Sequence, residues 1–132
     1  MRPLCFIWLL AAFTLLFVQC GKDHTPETLA MQSAQQSYDQ LLAGNYEGFL
    51  AGRVDADSFP ATYRNELLMA YKEFHRQQES KNGGIRGITA SRAVMDTAQH
   101  LVQVFMIIDY ADSLKEEIVV PMVERNGEWK MK

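Results

Sequence analysis

The sequence from residue 85 to residue 131 is IRGITASRAVMDTAQHLVQVFMIIDYADSLKEEIVVPMVERNGEWKM, and it contains four runs of mainly apolar residues. Short groups of turn-forming residues separate these runs, which is typical of antiparallel strands joined by tight connections. We therefore predict a meander of four strands at residues 85–95, 99–110, 114–123 and 128–131.

The dipeptide Asn126-Gly127 gives the strongest local signal in this region. Both residue types tolerate the positive φ angles that a type I′ turn requires, so the last two strands are expected to form a two-residue hairpin. This turn places Trp129 opposite Glu124 and Met131 opposite Met122 in the strand register.

The second and third predicted strands are long, and residues 102–108 (VQVFMII) show no clean alternation of apolar and polar side chains. Long strands twist, so a strongly curved sheet is expected. Both faces of its centre are expected to contact apolar groups, from helices on one side and from a pocket or partner on the other.

Helical patterns occupy the region before the strands. Thr25 followed by Pro26 is a typical helix start, and Gly44 is placed to end this helix in a left-handed conformation. A short apolar segment at residues 45–52 is expected to add a turn or two, and Ser58 is expected to cap a third helix that reaches residue 80. The predicted buried stripe of the third helix consists of Tyr63, Leu67, Ala70, Tyr71 and Phe74.

Two segments resemble parts of a known superfamily. Residues 38–49, YDQLLAGNYEGF, are similar to the alanine-rich helix, glycine-aspartate-tyrosine and aromatic residue that open NTF2-like domains, with Asn45 in place of the aspartate. Residues 126–131, NGEWKM, are similar to the final strand of those domains. Within the superfamily the chain looks most like small bacterial lipoproteins with a DUF4878-type domain.

This resemblance implies an α+β fold over residues 26–132. In the NTF2-like (cystatin-like) cone, three N-terminal helices pack on a curved four-stranded antiparallel sheet and enclose a cavity. The superfamily includes isomerases, cyclases and dehydratases as well as non-catalytic binding modules, so the fold does not by itself select a function.

Two sets of residues are candidates for a site in such a cone. An enzyme would need an acid or base inside it, and the candidates on predicted strands are Asp109, which precedes Tyr110, and His100. The alternative for Asp109 is a solvated carboxylate near a turn. A binding cavity would be lined by aromatic side chains, and rings at helical spacing can equally be ordinary core. The candidates for this lining are Tyr38, Tyr63, Tyr71 and Phe105.

The N-terminal residues have the pattern of an export signal. Arg2 is followed by an uncharged, largely apolar run that ends at Cys20, so we predict a signal peptide at residues 1–19. The segment Leu16-Phe17-Val18-Gln19-Cys20-Gly21 resembles a lipobox, which implies that Cys20 carries a lipid and that residues 20–25 form a tether. The alternatives are ordinary secretion and an uncleaved anchor.

The composition argues against several classes of function. The net charge of −3 at pH 7, without clustered basic residues, argues against nucleic-acid binding. With Cys5 in the signal and Cys20 at its end, no cysteine is left for a disulfide or a thiol nucleophile, and the three histidines lack the spacing of a metal site. We expect no cofactor and no metal.

The sequence thus favours a lipid-anchored protein of the bacterial cell envelope, with the outer membrane as the expected location. Its domain is expected to bind a small ligand, a glycan fragment or an envelope protein without catalysis. The alternatives are an enzyme of the isomerase or cyclase type and a module that associates, for example as a homodimer, through its sheet.

Overall fold

The computed structural model describes residues 24–132, so Cys20 and the predicted signal peptide lie outside the described residues. The elements are α1 (Pro26–Leu42), α2 (Tyr46–Ala51), a 3-10 turn (Ala56–Ser58), α3 (Ala61–Asn82), β1 (Ile85–Asp96), β2 (Leu101–Tyr110), β3 (Lys115–Arg125) and β4 (Glu128–Met131). The strands form one antiparallel sheet in the order β1-β2-β3-β4. Within residues 24–132, no helix is both long and apolar enough to cross a membrane.

Helix α1 begins and ends where its sequence predicts. The Thr25 side chain accepts a hydrogen bond from the backbone N–H of Thr28 at 3.2 Å, and Pro26 occupies the first turn. Gly44 follows the helix with φ 77°, the left-handed conformation that a glycine adopts without steric cost. The buried face of the helix, with Ala30 and Ala34 fully inaccessible, packs against the sheet.

Helix α3 differs from the prediction at its start and in its burial. Ser58 does not cap it, because Ser58 lies in the 3-10 turn and the helix begins after Pro60. None of the residues of α3 is fully buried, and Tyr63 is 41% exposed. Only the second half of the predicted stripe, Tyr71 and Phe74, packs against the core. The helix contacts α2 and β1 and does not lie across the sheet centre, so its first turns remain at the surface.

The β3–β4 hairpin confirms the predicted turn and register. Asn126 and Gly127 have φ angles of 54° and 78°, as a type I′ turn requires. Trp129 pairs with Glu124 and Met131 pairs with Met122.

The sheet has one covered face and one open face. Alternate residues of β2 are buried beneath the helices, and these are Val102, Val104, Met106, Ile108 and Tyr110. Helices cover the inner face, as expected, whereas Val94 and Val119 on the outer face are 47% and 48% exposed in the single chain, so the expected partner on that face stays a prediction. A helical layer on a single side of the sheet is sufficient to bury the core.

Both edges of the sheet bond to other parts of the chain. At β1, the Gln35 side chain donates to the carbonyl of Ile88 and accepts from the N–H of Ala90, both at 2.8 Å. At β4, the N–H of Met131 donates to the carbonyl of Gly52 at 2.8 Å, and its carbonyl accepts from Val54 at 2.8 Å. This second pair of bonds fixes the segment that follows α2 beside the end of the sheet.

Candidate functional site

A cleft lined by three aromatic rings lies between the helices and β3, and it extends from the inner face of that strand at Ile118 to its edge at residues 119–121. Tyr38 of α1 and Tyr71 of α3 flank Phe49 of α2, with edge-to-face centroid distances of 5.1 and 4.8 Å. The three rings are shared by two adjoining chambers, of about 260 and 290 Å³. The helices thus bring aromatic side chains from three elements onto one wall.

The smaller chamber is mainly apolar. Its walls, in addition to the three rings, are Leu41, Phe74, Ile88, Ile108, Glu116 and Ile118. Glu116 is the acidic residue among them, and it accepts a hydrogen bond from the Tyr110 hydroxyl at 2.7 Å. Burial, followed by this hydrogen bond, raises the pKa of Tyr110 to about 12.

The larger chamber contains basic side chains. Its walls, besides the rings, are Arg53, Val119, Val120, Pro121, Met131 and Lys132. The backbone of Arg53 is fixed by the bonds that join its neighbours, Gly52 and Val54, to β4. Its guanidinium carbon lies 5.7 Å from the centroid of the Phe59 ring, a cation–π arrangement that helps to orient the side chain.

Two residues that line the larger chamber each have a buried polar atom without a hydrogen-bond partner. Within residues 24–132, neither the Nε of Arg53 nor the hydroxyl of Tyr71 forms a hydrogen bond. A buried donor without a partner is costly, and such groups in native proteins require an explanation. Both atoms belong to residues of the larger chamber, so they mark it as a place where a ligand could accept hydrogen bonds.

Tyr38 lines the larger chamber together with Tyr71 and Arg53. Burial, and then the neighbouring Tyr71, raise the pKa of Tyr38 to about 12, while the positive charge of Arg53 opposes the shift. The phenol is therefore neutral at physiological pH and acts as a hydrogen-bond donor. The cleft combines aromatic walls with a small group of donors.

Comparison with known proteins supports the fold that this geometry suggests. No family model and no curated protein matches the chain. The structure is similar to a 2.00 Å crystal structure of a Campylobacter jejuni protein described as an NTF2-like transpeptidase, with a TM-score of 0.61 over 76% of this chain and 94% of that one. The chain has an NTF2-like fold. Sequence identity over the aligned residues is 9%, so the similarity concerns the NTF2-like fold alone.

Two of the four aromatic candidates line the cleft of this NTF2-like domain. Tyr38 and Tyr71 do so, together with Phe49, whereas Tyr63 and Phe105 do not. Tyr63 packs its ring against Phe59 at 5.0 Å, at the surface. Phe105 lies on the outer face of the sheet, where the guanidinium of Arg92 stacks 3.6 Å from its ring centroid. The structure therefore corrects the expected lining at these two positions.

Neither candidate acid or base lines the aromatic cleft. Asp109 faces the outer side of the sheet, with a carboxylate oxygen 3.3 Å from the ammonium of Lys115, while its neighbour Tyr110 faces the core. His100 is exposed and sits at the end of the β1–β2 turn with φ 55°, so its predicted place on a strand is wrong. In the part of the chain that the structure describes, no three His, Cys, Asp or Glu side chains form a metal cluster.

The sequence interpretation missed Arg53 and Glu116. Arg53 lies in a polar connection, where no periodicity indicates a role. For Glu116 a signal existed: the predicted β2–β3 hairpin pairs it with Ile108, and paired residues share a face of the sheet. The pairing alone does not show that Ile108, and with it Glu116, faces the core, because residues 102–108 are apolar at nearly every position.

A second, polar groove of about 690 Å³ runs between α1, α2 and the β3–β4 hairpin of the domain. Its amide, hydroxyl and aromatic side chains are Gln32, Ser33, Gln36, Ser37, Gln40, Asn45 and Trp129. Gln40 and Asn45 bond to each other at 2.7 Å. This groove offers amide and hydroxyl groups beside an indole ring, and Glu128 and Lys130 line its hairpin side.

Proposed function

We propose that the chain is a lipid-anchored protein of the bacterial envelope, held at the outer membrane through Cys20, and that its NTF2-like domain binds a small ligand without catalysis. The binding part depends on one observation, the aromatic cleft that ends on buried, unpartnered donors. Apolar walls with a few convergent polar groups are typical of small-molecule sites. The anchor depends on the N-terminal sequence alone.

The ionisable groups on the cleft favour binding over catalysis. The Tyr38 phenol, whose pKa is about 12, keeps its proton at neutral pH, and the Arg53 guanidinium offers donors and no acceptor. They can donate hydrogen bonds to a ligand but do not abstract protons from it. An enzyme of the isomerase or cyclase type would have to use Glu116, which already accepts the hydrogen bond of Tyr110.

A cavity-filling pair of variants tests the proposal. Ile118 faces the cleft, so Ile118→Trp should exclude ligands, whereas Ile107→Trp adds the same bulk on the outer face. We expect phenylbutanol, a neutral aromatic alcohol, to bind to the full chain and to Ile107→Trp, and not to Ile118→Trp. Isothermal titration calorimetry in detergent measures the binding, with a titration into micelles alone as the blank. Circular dichroism verifies that both variants fold.

Two outcomes would contradict this binding function. One is that neither phenylbutanol nor the corresponding acid gives heat above the blank. The other is that Ile118→Trp binds as the unmodified chain does, which would place the ligand elsewhere.

A second candidate function is the binding of a neutral glycan fragment in the polar groove. In the described residues, the side chains of Gln32, Ser33, Gln36 and Ser37 have no hydrogen-bond partner, and Trp129 lies at the same groove. Sugars present hydroxyls to amide groups and an apolar ring face to aromatic residues. Titration with a neutral oligosaccharide should change the fluorescence of Trp129, and Gln36→Leu should weaken the change; an unchanged spectrum would exclude this candidate.

A further inference from the structure

The larger chamber is lined by an arginine that forms no ion pair within the described residues, although Arg53 also borders a neighbouring groove with Asp57 and Glu128. The guanidinium of Arg53 has no ion-pair or hydrogen-bond partner within residues 24–132. Asp55, two residues along the chain, instead lies 3.4 Å from Arg125. Lys132 also lines this chamber, and it is exposed to solvent. A positive group that is partly removed from water attracts an anion that replaces its lost hydrogen bonds.

The donors are suited to one anionic group. Arg53 offers a planar fork of N–H groups, which matches the two oxygens of a carboxylate. Tyr71 lines the same chamber, and its buried hydroxyl is a further unpartnered donor. Arg53 is held in place by its backbone bonds and by Phe59, so these donors are arranged before a ligand arrives.

The other end of the cleft disfavours a second negative charge. Glu116 lies on the apolar chamber, and its carboxylate would repel another anion. The remaining walls of that chamber are aliphatic and aromatic side chains, including Phe74 and Ile108. The cleft is therefore polarised along its length, with cations at one end and apolar walls with one carboxylate at the other.

From these observations we propose that the ligand is an amphipathic monocarboxylate, whose acid group binds Arg53 and Tyr71 and whose apolar body extends past Phe49 towards Ile108. This inference rests on the proposed binding function and adds the chemical class and the orientation of the ligand.

A pair of ligands that differ only in the head group tests the inference. Phenylbutyrate and phenylbutanol have the same apolar body, and each is titrated into the full chain in detergent. We expect the acid to bind about tenfold more tightly or better, since a hydrogen bond to a charged group exceeds a neutral one in strength. In Arg53→Met the preference should fall to about one, because the methionine keeps the apolar stem and loses the donor.

Two further variants distinguish the effect of losing a positive charge from the effect of losing a donor at the cleft. Arg125→Gln removes the same charge from an arginine that does not line the cleft, and it should keep the preference for the acid. Tyr71→Phe should reduce the preference with little effect on the alcohol. Nuclear Overhauser contacts between the phenyl ring and the Ile108 methyl groups should confirm the orientation.

The outcomes distinguish this inference from the binding function on which it depends. If the acid and the alcohol bind equally, the cleft binds ligands but the anionic class is wrong. If the acid is preferred and Arg53→Met keeps the preference, the assignment to Arg53 is wrong. If neither ligand binds, the binding function itself fails.

Discussion

Removing the Tyr71 hydroxyl should not weaken the fold. This hydroxyl is buried and has no partner in residues 24–132, and an unsatisfied buried polar group costs about 1–3 kcal/mol in the native state. Tyr71→Phe recovers part of that cost and keeps the ring contact with Phe49 at 4.8 Å. We expect a gain of about 1 kcal/mol in the free energy of unfolding, which raises Tm by about 4 °C or more for a domain of about 100 residues.

The matched control is the same substitution at Tyr110. Its hydroxyl donates to Glu116 at 2.7 Å, and the residue is 2% exposed. Tyr110→Phe should therefore lower the free energy of unfolding by about 1 kcal/mol, so the two variants should differ in sign. Urea unfolding followed by circular dichroism measures both. A loss of about 1 kcal/mol or more in Tyr71→Phe would refute the reasoning, because the hydroxyl would then have a stabilising partner.

The remaining predictions concern the hairpin, alkaline pH and the anchor. Gly127→Ala should lower the free energy of unfolding by about 1–2 kcal/mol, because Gly127 has φ 78°, whereas Gly87→Ala, with open space around it and no positive φ, should have a much smaller effect in the same urea titration. Native Tyr38 and Tyr110 have pKa values of about 12, above the ordinary 10.0, so the unfolded chain ionises first as pH rises. Stability should be complete below pH 10 and decline towards pH 12, and a flat stability profile over this range would contradict both shifts. Cys20→Ser should release the protein from the membrane fraction, and its retention there would disprove the lipid anchor.

Strand order and the last hairpin could be predicted because local chemistry determines them. Asn126-Gly127 permits few turns other than type I′, and a tight turn fixes the register of its strands. The predicted element boundaries are wrong where neighbouring residues favour different local structures. Pro60 lies just before the first helical residue, which moves the start of α3 beyond Ser58. The β1–β2 turn extends to His100, although the apolar pattern alone gives no reason to exclude this residue from the strand.

The site was only partly predictable from the sequence, because tertiary packing determines which face of each helix and strand is turned towards the cleft. Phe105 was assigned to the cavity, yet residues 102–108 are apolar at nearly every position, so the sequence does not show which alternate set faces inwards. Tyr63 and Tyr71 share one helical stripe, and only the tilt of α3 determines that Tyr71 reaches the core. Arg53 belongs to a connection whose position is set by bonds to β4, which lies distant in sequence.

The backbone bonds at the two margins of the sheet would have a consequence for a protein held at a membrane by the proposed lipid anchor. Anchored copies would collide far more often than dissolved ones, and an unpaired strand is a template on which another chain can anneal. Here the Gln35 amide occupies the free backbone groups at Ile88 and Ala90, and the chain around Arg53 occupies those of Met131. At these positions a neighbouring molecule finds no vacant donor or acceptor, so any strand addition would have to use the edge of β3 before Pro121, which β4 does not cover.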